Sequence, residues 1–322
     1  MTAPLATRQF EEGRAVLRFE RRLAHPPEKV WRAVTEPDEL AHWFPGRVEM
    51  ELRPGAPVHF VEDDPDIGES SGEVVEVDPP KVFAFRWGGD LLRFELAPDG
   101  SGCRLSFSHA LSGGDTWGDE RFAAQHAAGW DACLELLLAW LAGESADPES
   151  TDAGSMADWF VRNEEYIEEF GLAEGEVVED ADGSVLRFER VVIQTPDEVW
   201  AALTSAGAPA VGSPAPATAT PPAIDAGVVT ALEPGRTLVY EWRHDGTPVG
   251  EVRWTISGRK YAGRIVLTQT VPAELADQQA SLLASWQAQM ERFIAGMHDL
   301  ERPWPDDRVE LHRKHYADQL AG

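Results

Sequence analysis

The chain has 322 residues, 43% of them hydrophobic, and its 56 acidic against 28 basic residues leave a formal net charge of −28. That field repels nucleic acid and anionic lipid surfaces, which excludes both as partners. The two cysteines, Cys103 and Cys133, make neither a disulfide framework nor a cysteine metal site, and the length carries an expectation of about two domains.

In chain order, Leu17, Phe19 and Leu23 alternate with Arg18, Glu20 and Arg22, the period of a half-buried strand. Pro27 then opens a short helix on which Val30, Trp31 and Val34 share a face, with Glu28 beside the positive end of the helix dipole. PDELAHWF (Pro37 to Phe44) reads as a second short helix stopped by Pro45-Gly46. The alternating segments Val48 to Leu52 and Val58 to Glu62 form a hairpin, followed by a polar loop, Glu62 to Gly72. Gly72 to Pro80 and Lys81 to Trp87 form a second hairpin turning at Asp78-Pro79-Pro80. Leu91 to Pro98 and Cys103 to Leu111 bring the total to seven successive strands, which argues for an antiparallel sheet.

The segment SGGDTWGDE breaks the strand pattern and leads into a long helix. Its stripe, Phe122, His126, Trp130, Cys133, Leu137 and Leu141, runs at three- and four-residue steps until Gly143. Such a face must bury itself, and the concave side of the sheet is the surface on offer. A further helix is expected over Met156 to Gly171, and the acidic Ala173 to Ser184 reads as a linker. No apolar run reaches membrane-spanning length and the opening residues lack the plan of a signal peptide, so a cytoplasmic protein is expected.

The first strand and helix occur twice. Leu17 to Thr35 and Leu186 to Thr204 are identical at ten of nineteen positions at an offset of 169, which marks two copies of a whole domain, 1–172 and 173–322. The second copy follows the same order: Gly227 to Trp242 matches Gly72 to Trp87 at an offset of 155, Glu251 to Pro272 runs against Leu91 to Ser112, and Trp286 matches Trp130. Between Thr204 and Gly227 it is fourteen residues shorter, and SAGAPAVGSPAPATATPPAIDAG is too rich in Ala, Pro, Gly and Thr for a helix and hairpin. It reads as a flexible or extended-proline loop. A last helix, Trp304 to Gly322, repeats the one after the first copy.

These segments resemble the START/Bet v 1-like (SRPBCC) superfamily and, within it, the Aha1 C-terminal-like family of activator of Hsp90 ATPase homologues. The resemblance rests on R-x-L-x-H-P-P-E-K-V-W-R-A-V-T-E-P at Arg21 to Pro37, H-W-F at His42 to Phe44, G-E-V-V-E-V-D-P-P-K at Gly72 to Lys81 and H-x-x-G-W at His126 to Trp130. It covers most of the first copy and is weaker in the second, where Leu282 and Ser285 stand at the places of His126 and Gly129. It implies an α+β chain of two helix-grip domains, each a curved antiparallel sheet around a long C-terminal helix with a cavity between, the second copy degenerate. The wider superfamily binds lipids, polyketides and other apolar molecules.

By strand and helix phase, the lining of such a cavity in the first copy is Phe60, Phe83, Phe85, Trp87, Phe94, Phe107 and Trp130, residue types that also suit a close-packed core. His109 and His126 point between sheet and helix, where an imidazole can bond a ligand oxygen or move a proton. The expected ligand-binding set is therefore Phe60, Phe85, Trp87, Phe94, Phe107, His109, His126 and Trp130. Arg21 and Arg190 take the inward phase of the first strand in each copy and call for a structural ion pair. HRKH at His312 to His315 has metal-ligand spacing but reads as a solvated helix face. No cofactor or metal is called for, and no nucleophile elbow, P-loop or dinucleotide fingerprint is present.

Three functions follow as expectations. The first is non-enzymatic binding of an apolar small molecule in the first domain, with the second domain structural. The second is an enzyme of cyclase, dehydratase or hydrolase type using His109, His126 and Arg21. The third, implied by the resemblance, is a protein-interaction role of the Hsp90-cochaperone kind. The missing hairpin of the second copy leaves a sheet uncovered; cover must come from the Pro-rich loop, the first domain or a second chain in a homodimer, the two domains are expected to pack on each other, and 173–322 alone to aggregate.

Overall fold

The structure, a computed structural model, describes residues 5–61, 70–114, 118–144, 156–181, 183–300 and 302–321. Part of the expected polar loop, 62–69, and part of the segment expected to break the strand pattern, 115–117, lie outside the described residues. The chain divides into two compact units, Met1–Phe170 and Gly171–Gly322, and each is a helix-grip domain.

In the first unit β1 (Thr7–Glu11) and β2 (Arg14–Leu23) precede two short helices, α1 (Pro27–Thr35) and α2 (Pro37–Leu40). Six strands follow: β3 (Arg47–Met50), β4 (Pro57–Val61), β5 (Ser70–Asp78), β6 (Val82–Trp87), β7 (Asp90–Asp99) and β8 (Gly102–Ala110). The antiparallel sheet runs β1-β2-β8-β7-β6-β5-β4-β3, and the 20-residue helix α3 (Ala123–Ala142) buries Trp130, Cys133, Leu134, Leu137 and Leu141. Gly143 ends α3 at φ 77°, a left-handed conformation that costs a glycine little. Helix α4 (Met156–Glu169) follows.

The second unit repeats this as β9 (Glu176–Asp180), β10 (Gly183–Val192), α5 (Pro196–Leu203), β11 (Asp225–Glu233), β12 (Thr237–His244), β13 (Thr247–Arg259), β14 (Ala262–Pro272), α6 (Gln279–Gly296) and α7 (Asp306–Ala321). Its six-stranded sheet runs β11-β12-β13-β14-β10-β9. One strand per copy escapes the sequence pattern. Segment Ala173 to Ser184, read as a linker, contains β9 paired with β10, just as β1 pairs with β2. Both are short edge strands whose charged residues, a usual guard against edge pairing, mask the alternation.

The Pro-rich segment is also corrected: it is a packed strap. Gly212 N–H donates to Val229 O at 2.8 Å, Val229 N–H to Ser213 O at 2.8 Å and Ala215 N–H to Gly227 O at 3.1 Å. The first two copy bonds of the first unit, Gly55 N–H to Val74 O and Val74 N–H to Ala56 O. Pro214 then bridges Val228 as Pro57 pairs with Glu73, so the strap begins as a remnant of β4 alongside β11. Beyond it the chain turns inward through a short 3-10 turn, Ala217–Ala219, and buries Pro216, Ala219, Pro221 and Ile224. The cover that the shortened copy needs thus comes from its own loop.

Candidate functional site

In the first unit strand alternation aims Phe83 and Phe85 of β6, Phe94 of β7 and Phe107 of β8 at α3, and all four are buried. Register places Phe94 beside both Phe83 and Phe107. The Phe94 and Phe107 rings stack at 4.5 Å, Phe60 and Trp87 stack at 4.5 Å, and Trp130 meets Phe107 edge-on at 4.7 Å.

Phe44, just beyond the end of α2, is the hub of this cluster, in ring contact with Phe60, Phe85, Trp87 and Trp130. Sequence periodicity does not pick it out, although the H-W-F motif contains it. Each such aromatic pair adds about 0.5–1.5 kcal/mol beyond simple burial. Trp87 and His126 are only half-buried, so the cluster reaches the surface at their end. All eight expected site residues therefore fall in one contiguous group.

The polar part of the group is a relay. Trp130 Nε1–H donates to His109 Nδ1 at 3.0 Å, and His109 Nε2 lies 2.8 Å from Asp90 Oδ2. An indole nitrogen only donates, so His109 Nδ1 must accept and its proton sits on Nε2, facing the carboxylate. The other Asp90 oxygen accepts Ser112 N–H at 2.8 Å. Burial opposes ionisation of Asp90, but the hydrogen bonds from His109 and Ser112 outweigh it and hold the carboxyl below its usual range. The His126 ring stands edge-on to His109 at 4.8 Å. Asp90 opens β7 directly after Gly88-Gly89, where no periodicity marks it in the sequence.

Arg21 does not join the histidines. It faces Leu105 across β2 and β8, whereas His109 faces Leu17, four residues or roughly 13 Å along the strand. Its Nη2 lies 2.5 Å from Asp131 Oδ1, the structural ion pair expected. Asp131 Oδ2 takes Arg162 at 2.7 Å and Tyr166 Oη–H at 2.6 Å, and Tyr166 Oη accepts Ala6 N–H at 2.9 Å. Burial is the main cause that pushes the Tyr166 hydroxyl pKa up. This network ties β2, α3, α4 and the approach to β1.

The second unit keeps the scaffold and changes the polar groups. Gln269 replaces His109 and its Oε1 accepts Trp286 Nε1–H, while Gly250 stands where Asp90 was. Tyr240 and Trp254 replace Phe85 and Phe94, and both donate to Ala219 O of the strap, at 2.7 and 3.1 Å. Tyr316 Oη accepts Gly175 N–H and donates to Gln287 Oε1, repeating the part of Tyr166. The HRKH segment is not wholly a solvated face: His312 turns in to Glu291, 3.4 Å away. Burial opposes ionisation of Glu291, but His312 and Arg308 outweigh it and bring its pKa to about 2.

A curved antiparallel sheet holding a long C-terminal helix, with aromatic and histidine side chains between them, defines a helix-grip domain. Residues 24–142 match the family described as Activator of Hsp90 ATPase homolog 1-like protein. Among solved structures, CalU16 from Micromonospora echinospora is 21% identical, with 51% of this chain and 94% of that one covered at a TM-score of 0.39. A conserved protein of unknown function from Enterococcus faecalis is 25% identical, with 52% and 90% covered at a TM-score of 0.42. The Aha1 dimer from Colwellia psychrerythraea is 19% identical, with 39% and 95% covered at a TM-score of 0.33. No curated protein matches the chain. Among the described residues, no helix is long and apolar enough to cross a membrane.

Proposed function

We propose that the first domain binds an apolar small molecule against the ring cluster centred on Phe44, without catalysing a reaction on it. The observation that carries this reading is the contrast between the copies. The first presents aromatic faces that reach the surface at Trp87 and His126, whereas the second fills the matching space with Tyr240, Trp254 and its own strap. Both nitrogens of His109 are engaged, by Trp130 and Asp90, and Arg21 is neutralised by Asp131 at a distance along the strand. That arrangement supports positioning over acid–base chemistry, which needs a free lone pair or proton aimed at a substrate.

The test is a titration of a hydrophobic fluorescent probe against the full chain and its Phe107→Trp and Leu267→Trp variants, each checked for a native circular dichroism spectrum. Phe107→Trp is expected to weaken binding at least tenfold and Leu267→Trp to leave it unchanged. Loss with the Leu267 change alone would place the site in the other domain.

A further inference from the structure

We propose that the second domain holds a latent binding site for an apolar molecule carrying carbonyl oxygens, kept shut by its own strap. Three interior side chains grip consecutive strap carbonyls: Gln289 Nε2 donates to Thr218 O at 2.8 Å, and Tyr240 Oη and Trp254 Nε1 both donate to Ala219 O. The first domain has only Phe85 and Phe94 at the two latter places, so the donors belong to the copy with the strap. Two donors converging on one oxygen is the pattern that recognises a carbonyl group, and here the chain supplies that oxygen itself.

A second observation lies on the same row of the sheet. Gln269 is 0% exposed and its Nε2 has no hydrogen-bond partner among the described residues, while its Oε1 is taken by Trp286. Register sets Gln269 beside Val252 and Val252 beside Tyr240, so the unpaired donor stands two strands, roughly 10 Å, from the Tyr240 position. A buried donor without a partner is costly, and an occupant with a second oxygen would satisfy it. The strap offers it none. It is also a light plug, burying only Pro216, Ala219, Pro221 and Ile224, and its displaced carbonyls would pass to water.

The inference stands apart from the first-domain reading, and its test counts sites. The full chain is titrated with 6-propionyl-2-(dimethylamino)naphthalene, an apolar fluorophore with one ketone, before and after opening the strap in two ways. One variant replaces residues 216–221 by a Gly-Ser run of equal length; the other, Thr218→Val with Gln289→Met, removes the bond that the Thr218 hydroxyl donates to Leu203 O and the one that Gln289 donates to Thr218 O, and deletes nothing. Each opened chain is expected to bind one equivalent more than the parent, whatever the first domain binds. Adding Tyr240→Phe should weaken that extra site by roughly 2- to 10-fold, the value of one hydrogen bond. Folded opened chains that bind no more than the parent would overturn the proposal. Failure of both to fold would overturn it too, because the strap would then be a structural part rather than a displaceable plug.

Discussion

His109 lies between an obligate donor, Trp130, and a carboxylate, Asp90, and the second domain shows which of these contacts the fold itself requires. Gln269 keeps only the acceptor for the tryptophan. His109→Gln, which keeps the acceptor for the tryptophan, should therefore cost less than His109→Ala by about 1–3 kcal/mol, the value of the buried indole N–H that alanine leaves unpaired, measured by urea denaturation. Asp90 supplies a pH signature. A carboxyl with a depressed folded pKa adds stability that is complete above its ordinary value of 3.8 and is lost as pH falls through the folded value. Asp90→Asn should destabilise the first domain at pH 7 by about 1–3 kcal/mol and by progressively less below about pH 4. A cost that stays constant with pH would contradict a charged Asp90.

The long elements are legible from the residues because their periods are strong: β2, β4 to β8 and α3 all carry a clear apolar phase, and that phase collects the eight site residues in one group. What escapes lacks a period. β1 and β9 are five-residue charged edges, the strap is held by backbone bonds rather than by an apolar stripe, and Asp90 and Phe44 act through contacts distant in sequence. β1 is more than trim, since Ala6 N–H meets Tyr166 and Arg8 Nη2 meets Phe170 O at 2.6 Å beside it. Deleting residues 1–12 should lower the first domain's melting temperature by about 2–4 °C per kcal/mol lost, with about 1–3 kcal/mol at stake. An unchanged melt would show that β1 adds nothing.

At the scale of the whole molecule, the repeat predicts two units and the structure divides the chain between Phe170 and Gly171. The expectation that the second copy aggregates by itself rests on an uncovered sheet, and the strap removes that reason where Gly212 to Ala215 pair with β11. Residues 171–322 expressed alone should therefore be monomeric by gel filtration and melt cooperatively. Aggregation or a broad melt would mean that the strap is insufficient cover.

The central claim is that an apolar ligand sits on the first domain's ring cluster, and intermolecular nuclear Overhauser effects from a bound apolar probe to the full chain test it most directly. The account predicts contacts to the rings of Phe44, Phe60, Trp87 and Trp130. Contacts confined to Tyr240 and Trp254, or no saturable binding at all, would contradict it.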